Sequence, residues 1–239
     1  MRNRLLAGGG ALVLALALSG IGHAHGIWVA KRFDVLTVVL GEGRDDQAYD
    51  TAKVKKVTGY SSEYAPVQVG IEARQGYVVV NPSKEAALLV VEFDHGYWSK
   101  GADGKYVNKP MPEVPGAKTA NKTLKYNVVY LDPAVQPKVM AELPLQIVPA
   151  VNPAGLKQGD LLEVRVLYQG KPLADAEVIV DVAGDLGNTI KTDANGKAAV
   201  PVRNMSLNVI GVEQAFPLEG SDLATATGYF TSVSFVAAK

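Results

Sequence analysis

Apolar and polar residues alternate through "LLEVRVLY" (161–168), with Leu162, Val164, Val166 and Tyr168 on one face and Glu163 and Arg165 on the other. A period of two predicts a strand with one buried face. "TGYFTSVSFVA" (227–237) repeats the pattern, directing Tyr229, Thr231, Val233 and Phe235 inward. "DVLTVVLG" (34–41), "GYVVVNP" (76–82) and "ALLVVEFD" (87–94) are short apolar runs bounded by turn formers. Such runs predict strands buried on both sides. "DANGK" (193–197) carries the Asn-Gly signal of a tight hairpin. Glycine and proline punctuate the chain so regularly that long helices have no room. Only the segments around 48–57 and 118–130 admit a helical turn or two. The fold class this predicts is all-β.

A boundary falls in "LPLQIVPAVNPAGLKQGD" (143–160), where three prolines and a polar turn precede the alternating strand at Leu161. Beyond it, strands recur at the even spacing of a small antiparallel sandwich of immunoglobulin or transthyretin type. The expected organisation is a β-rich domain over 25–146 and a β-sandwich domain over 147–239, after a leader over 1–24.

The leader is read from Arg2 and Arg4, the apolar run from Leu5 to Ile21, and the small residues Gly22 and Ala24 ahead of a cleavage point. Glycines dilute the run and no stop-transfer charges follow it, so it predicts a cleaved signal peptide and a periplasmic protein, not an anchor. Cleavage after Ala24 leaves 22 basic and 24 acidic side chains, a balance of −2. Such a chain has no general attraction for nucleic acid or anionic lipid. It contains no cysteine, so disulfides and thiolate metal chemistry are both closed to it. Metal binding has to use imidazole, carboxylate, thioether or a free amine.

Two of the three histidines stand in "GHAHG" (22–26), at the cleavage region. A cut after Ala24 makes His25 the first residue, and its α-amine and Nδ1 then close a chelate ring on one ion. A cut after Gly22 begins the chain His23-Ala24-His25, where the third-position histidine wraps square-planar around copper or nickel. The remaining imidazole is His95, in "VVEFDHGYWSK" (90–100), at the end of a buried-type strand. Its neighbour Asp94 is a candidate ligand, or the acceptor that fixes the His95 tautomer. Binding by such a set weakens below about pH 6, as imidazoles and the amine take up protons. The plainer alternatives are a frayed N-terminus and a structural histidine at a strand end. Glu42, Asp45, Asp46 and Asp50 lack the ordered oxygen spacing of a calcium loop and read as a solvated acidic loop. No nucleophile elbow, phosphate-binding glycine loop or paired carboxylates appear, and the chain reads as a binding protein, not an enzyme.

"GDLLEVRVLYQGKPLADAEVIVDV" followed by "KTDANGKAAVPV" resembles the sandwich modules of the transthyretin-like and carboxypeptidase-regulatory type. "AHGIWV" (24–29), "GYWSKGADGKYVNKP" (96–110) and "IVPAVNP" (147–153) together resemble a bacterial periplasmic family of unknown function. That family was formerly described as NikM-like and grouped with nickel and cobalt uptake systems. The resemblance implies a metal-handling accessory of an uptake system, with nickel, cobalt or copper as its ion and a membrane transporter component as its partner. A histidine is expected near "GVEQAF" (211–216) in such relatives, and Gln214 stands there instead. Two alternatives remain: a non-catalytic interaction module that docks on a transporter, and a copper oxidoreductase built on an N-terminal histidine brace.

Overall fold

The computed structural model describes residues 25–239. The expected leader, its cleavage region and His23 lie outside the described residues. The first half contributes β1 (Gly26–Arg32), β2 (Val35–Glu42), β3 (Asp45–Gln47), β4 (Val54–Tyr60) and β5 (Pro66–Val67). It continues through β6 (Val69–Arg74), β7 (Tyr77–Pro82), β8 (Leu88–Lys100), β9 (Tyr106–Val107) and β10 (Thr119–Tyr130). The second half contributes β11 (Leu145–Pro149), β12 (Leu161–Tyr168), β13 (Lys171–Pro172) and β14 (Glu177–Asp181). It ends with β15 (Asp185–Lys191), β16 (Lys197–Pro201), β17 (Leu207–Pro217) and β18 (Ala226–Val236). The described residues hold three short 3-10 turns and no α-helix, so the all-β expectation is met. One of those turns, Thr51–Lys53, falls in the segment read as able to turn, whereas 118–130 is the long strand β10.

The strands form three sheets. The central one runs β15-β14-β17-β18-β10-β8-β4-β5, with β9 beside β8. A second runs β1-β2-β7-β6 with β3 beside β2, and the third joins β11, β12, β13 and β16. Alternation along the central strands sends residues to two different cores. Leu88, Val90, Val128, Tyr130, Val233 and Phe235 face the third sheet, packing on Leu145, Ile147, Leu162, Val164 and Val166. Leu89, Val91, Phe93 and Val129 face the other way, onto Ile27, Val29, Val38 and Leu40 of the second sheet. Runs such as "ALLVVEFD" are apolar throughout because both faces are covered.

The central sheet crosses the boundary expected at 146. β10, from the first half, pairs in parallel with β18 from Asn121↔Ala226 to Tyr130↔Phe235. The "DANGK" turn forms, closed by Gly196 N–H donating to Asp193 O at 2.9 Å with Gly196 at φ +73°. It does not make a hairpin, because β15 and β16 belong to different sheets.

The second sheet stands edge-on upon the central one. Ile27 and Val29 on one side of β1 pack against β8 and β10. Trp28 and Ala30 on its other side pack against Ile179, Val182, Val209 and Phe230. The free edge of β1 is thereby buried, and its backbone groups need partners. Side chains of the central sheet supply them at alternate residues. Asn127 Oδ1 accepts from Val29 N at 3.0 Å, Ser232 Oγ donates to Ile27 O at 2.6 Å, and Lys125 Nζ donates to His25 O at 2.5 Å. Asn127 Nδ2 donates in turn to Ser232 Oγ at 2.9 Å. The polar residues buried in the middle of β10 and β18 act as a surrogate strand for β1.

Candidate functional site

His25 immediately precedes β1, where the edge of the second sheet meets the central one. Gly26 lets the chain sink there, since a Cβ at that position would meet Phe230 Cζ at 2.7 Å and Val182 Cγ1 at 2.8 Å. The β2–β3 turn brings two groups to the ring. Gln47 meets His25 Nε2 at 2.5 Å, and Glu42 Oε2 lies 3.6 Å from the same nitrogen. Nε2 is thus occupied by second-sheet side chains, and Nδ1 is the ring nitrogen nearer the main chain. Of the acidic loop, Glu42 approaches His25, whereas Asp46 pairs with Arg32 at 2.8 Å and Asp50 Oδ1 accepts from Ala52 N at 3.0 Å.

His95 is the extra residue of a β-bulge. Asp94 is opposite Leu124 and Gly96 opposite Thr123, so His95 has no partner on β10. Gly96 takes φ +92°, a left-handed conformation that suits glycine. Asp94 Oδ1 accepts from Gly96 N at 2.9 Å, and Asn108 Nδ2 donates to Tyr97 O at 2.7 Å, so the bulge is braced from both sides. The His95 ring is 6 % exposed. It lies 5.8 Å from the Phe93 ring and 5.0 Å from that of Trp98. Its Nδ1 is buried without a hydrogen-bond partner, as is Trp98 Nε1.

The structure does not bring Asp94 to His95. Successive side chains leave a strand on opposite faces, and the Asp94 carboxylate pairs with Lys122 Nζ at 2.7 and 2.8 Å. That pair, with the Gly96 N–H, holds the Asp94 carboxyl below its ordinary value against the cost of its partial burial. The tautomer-fixing role expected for Asp94 is absent because Lys122 takes the carboxylate.

Burial pushes the His95 imidazole down from 6.5 to about 3, helped by the positive charges of Lys125, Lys53 and His25. His25 and His95 are therefore within electrostatic reach of one another. Sequence reasoning missed Lys125, which is buried, donates to His25 O and lies within electrostatic reach of His95. Burial pulls its ammonium down from 10.5 to about 8, with the Glu213 carboxylate opposing and Lys53 reinforcing the shift. The signal was present in "LKYNVVY" (124–130), where two polar residues share one face of a buried strand. Lys53 Nζ donates to Asn108 Oδ1 at 3.3 Å, which draws it toward the bulge. Among the described residues, no three His, Asp or Glu side chains cluster as a ready-made metal cage. What the site offers is two imidazoles, one of them with an unpaired buried nitrogen.

The His95 shift predicts a stability change with pH. The unfolded chain protonates this imidazole near 6.5, while the folded one refuses the proton until about pH 3. In that window the unfolded state binds more protons, so stability falls as pH falls, by at most about 1.4 kcal/mol per pH unit. Urea unfolding between pH 6.5 and 4.5 should show a steeper loss for the wild type than for His95→Phe. Equal slopes would place the imidazole in solvent.

The chain belongs to the DUF4198 family, a domain of unknown function, whose pattern matches residues 21–215. It is similar to an uncharacterized protein of Haemophilus influenzae, 26% identical over 166 residues, covering 69% of this chain and 70% of that one. No solved structure matches. Among the described residues, no helix is long and apolar enough to cross a membrane.

Proposed function

We propose that the protein is an exported, periplasmic binding protein for a transition-metal ion, serving uptake or delivery of nickel, cobalt or copper. The ligands are the α-amine and Nδ1 of His25, freed by cleavage after Ala24, and the imidazole of His95. The observation that supports this reading is the buried, unpartnered nitrogen of His95, within electrostatic reach of His25. Leaving such an atom unpaired costs about 1–3 kcal/mol, which a ligand at the site removes. The occupation of His25 Nε2 by Gln47 fits the same reading, because amine chelation uses the other nitrogen. The resemblance to NikM-like proteins of nickel and cobalt uptake systems supports the choice of cargo. A three-nitrogen site of this kind favours copper in vitro whatever ion the cell supplies. The test is calorimetry with Cu(II) and Ni(II) on protein beginning at His25 and on protein with one extra residue before it. The extra residue should weaken binding on the order of a hundredfold, and equal affinity would refute the chelate.

A second reading, docking on a membrane transporter component, is favoured by the β1–β2 hairpin. Its two loop residues, Phe33 at φ +46° and Asp34 at φ +65°, are both in the left-handed region, and Phe33 is fully exposed. It overhangs a groove of about 330 Å³ lined by Val35, Tyr49 and Tyr77. A bulky residue held in that conformation without packing has been kept at a cost to stability. Phe33→Asn should therefore stabilise the protein by about 0.5–1 kcal/mol, read as a raised melting temperature, while weakening any transporter contact. A lower melting temperature would mean that Phe33 packs at home.

A further inference from the structure

The edge of β1 is satisfied by three side chains, and one of them is chemically out of keeping. Ser232 and Asn127 serve Ile27 O and Val29 N as neutral groups. At His25 O the donor is an ammonium, fully buried, with the Phe230 ring 5.4 Å from Nζ. A carbonyl does not need a charged donor, and burying one carries a far larger desolvation cost than burying a hydroxyl or amide. That expense falls at His25, the residue immediately before β1 that carries a candidate ligand.

We infer that Lys125 is the positioning residue of the His25 site, holding the His25 main chain so that amine and imidazole are presented together toward His95. The inference rests on the metal-binding reading. A first residue ordinarily frays into solvent, and a frayed His25 has to be ordered by the metal itself, which lowers affinity. Lys125 removes that loss from the carbonyl side, while Gln47 and Glu42 fix the far side of the ring. Lys125 sits in the middle of β10, bonded on both sides by β8 and β18, so the anchor it offers is rigid. A donor of lysine's reach and charge also grips the carbonyl more strongly than the neutral bonds further along the strand.

The experiment uses the full mature chain beginning at His25, with Cu(II) as probe. Lys125→Met should keep the fold, since a similar-sized apolar side chain replaces a buried charge. It should bind Cu(II) about ten- to a hundredfold more weakly in a competition titration, the loss of one charge-assisted bond. The electron paramagnetic resonance spectrum of its bound Cu(II) should broaden and shift, as His25 samples several poses. If Lys125→Met binds Cu(II) with wild-type affinity and an unchanged spectrum, the positioning role is overturned while metal binding stands. If the wild type itself binds no Cu(II), the metal reading and this inference fall together. Should Lys125→Met not fold, nitrogen-15 lysine NMR of the wild type decides, with Nζ identified by its contact to the Phe230 ring. That signal should move with the same midpoint as Zn(II) binding, and a signal unmoved at saturation overturns the inference.

Discussion

Replacing His95 with Ala in protein that begins at His25 should lower Cu(II) affinity by on the order of a hundredfold or more. Loss of an outer hydrogen-bond partner of a ligand already costs about 10–100-fold, and on the proposed metal-binding reading a ligand itself is removed. Adding one residue before His25 and mutating His95 should do little more together than either does alone, because both break one chelate. His95 is buried against Phe93 and Trp98, so the substitution also leaves a cavity. Destabilisation of about 2–4 kcal/mol is expected, and affinity is to be read where the variant is still folded by near-ultraviolet circular dichroism. The pH profile adds a second check. Burial holds the His95 imidazole neutral down to about pH 3, so His95 contributes no step of its own to acid release above that pH. A variant that binds as tightly as the wild type would turn attention to the Phe33 hairpin and its groove.

Hydrophobic patterning made the strands legible and left their assembly hidden. "LLEVRVLY" and "ALLVVEFD" became β12 and β8 because alternation and apolar runs are local consequences of burial. The reading of 118–130 as able to turn failed on "NKTLKYNVVY", where Lys125 and Asn127 interrupt the apolar pattern. Those residues are polar because they face the backbone edge of β1, a partner about 100 positions away in the chain. No local window contains that information. His95 was found because imidazoles are scarce, but its bulge depends on a register shift against β10 that sequence spacing does not reveal. Asp94 was adjacent in sequence and is opposite in space, the ordinary outcome of strand alternation. The Asn-Gly turn formed as expected, yet a turn signal fixes a change of direction and does not fix whether the next strand returns to the same sheet.

Expressed alone, residues 147–239 should fail to give a stable monomer. In the whole chain β18 lies between β17 and β10, and a cut at 146 strips β10 away along the register from Asn121↔Ala226 to Tyr130↔Phe235. At roughly 0.5–1.5 kcal/mol net per hydrogen bond, the loss is on the order of 5–10 kcal/mol. That is comparable with the whole stability of a typical domain, about 5–15 kcal/mol. The cut also bares Ile179, Val182, Val209 and Phe230, which Trp28 and Ala30 cover in the intact protein. It further divides β11, whose first two residues are Leu145 and Gln146. An uncovered edge eleven residues long, with apolar surface beside it, is a template for pairing with another copy. Light scattering should therefore show the fragment as concentration-dependent dimers or larger species, even though its circular dichroism remains β-rich. A synthetic strand of residues 119–130 added in excess should reduce that association by occupying the edge. A fragment that stays monomeric and melts cooperatively at the temperature of the full chain would show that the parallel β10–β18 pairing contributes little. The two halves would then be joined by contact without depending on each other for their folds.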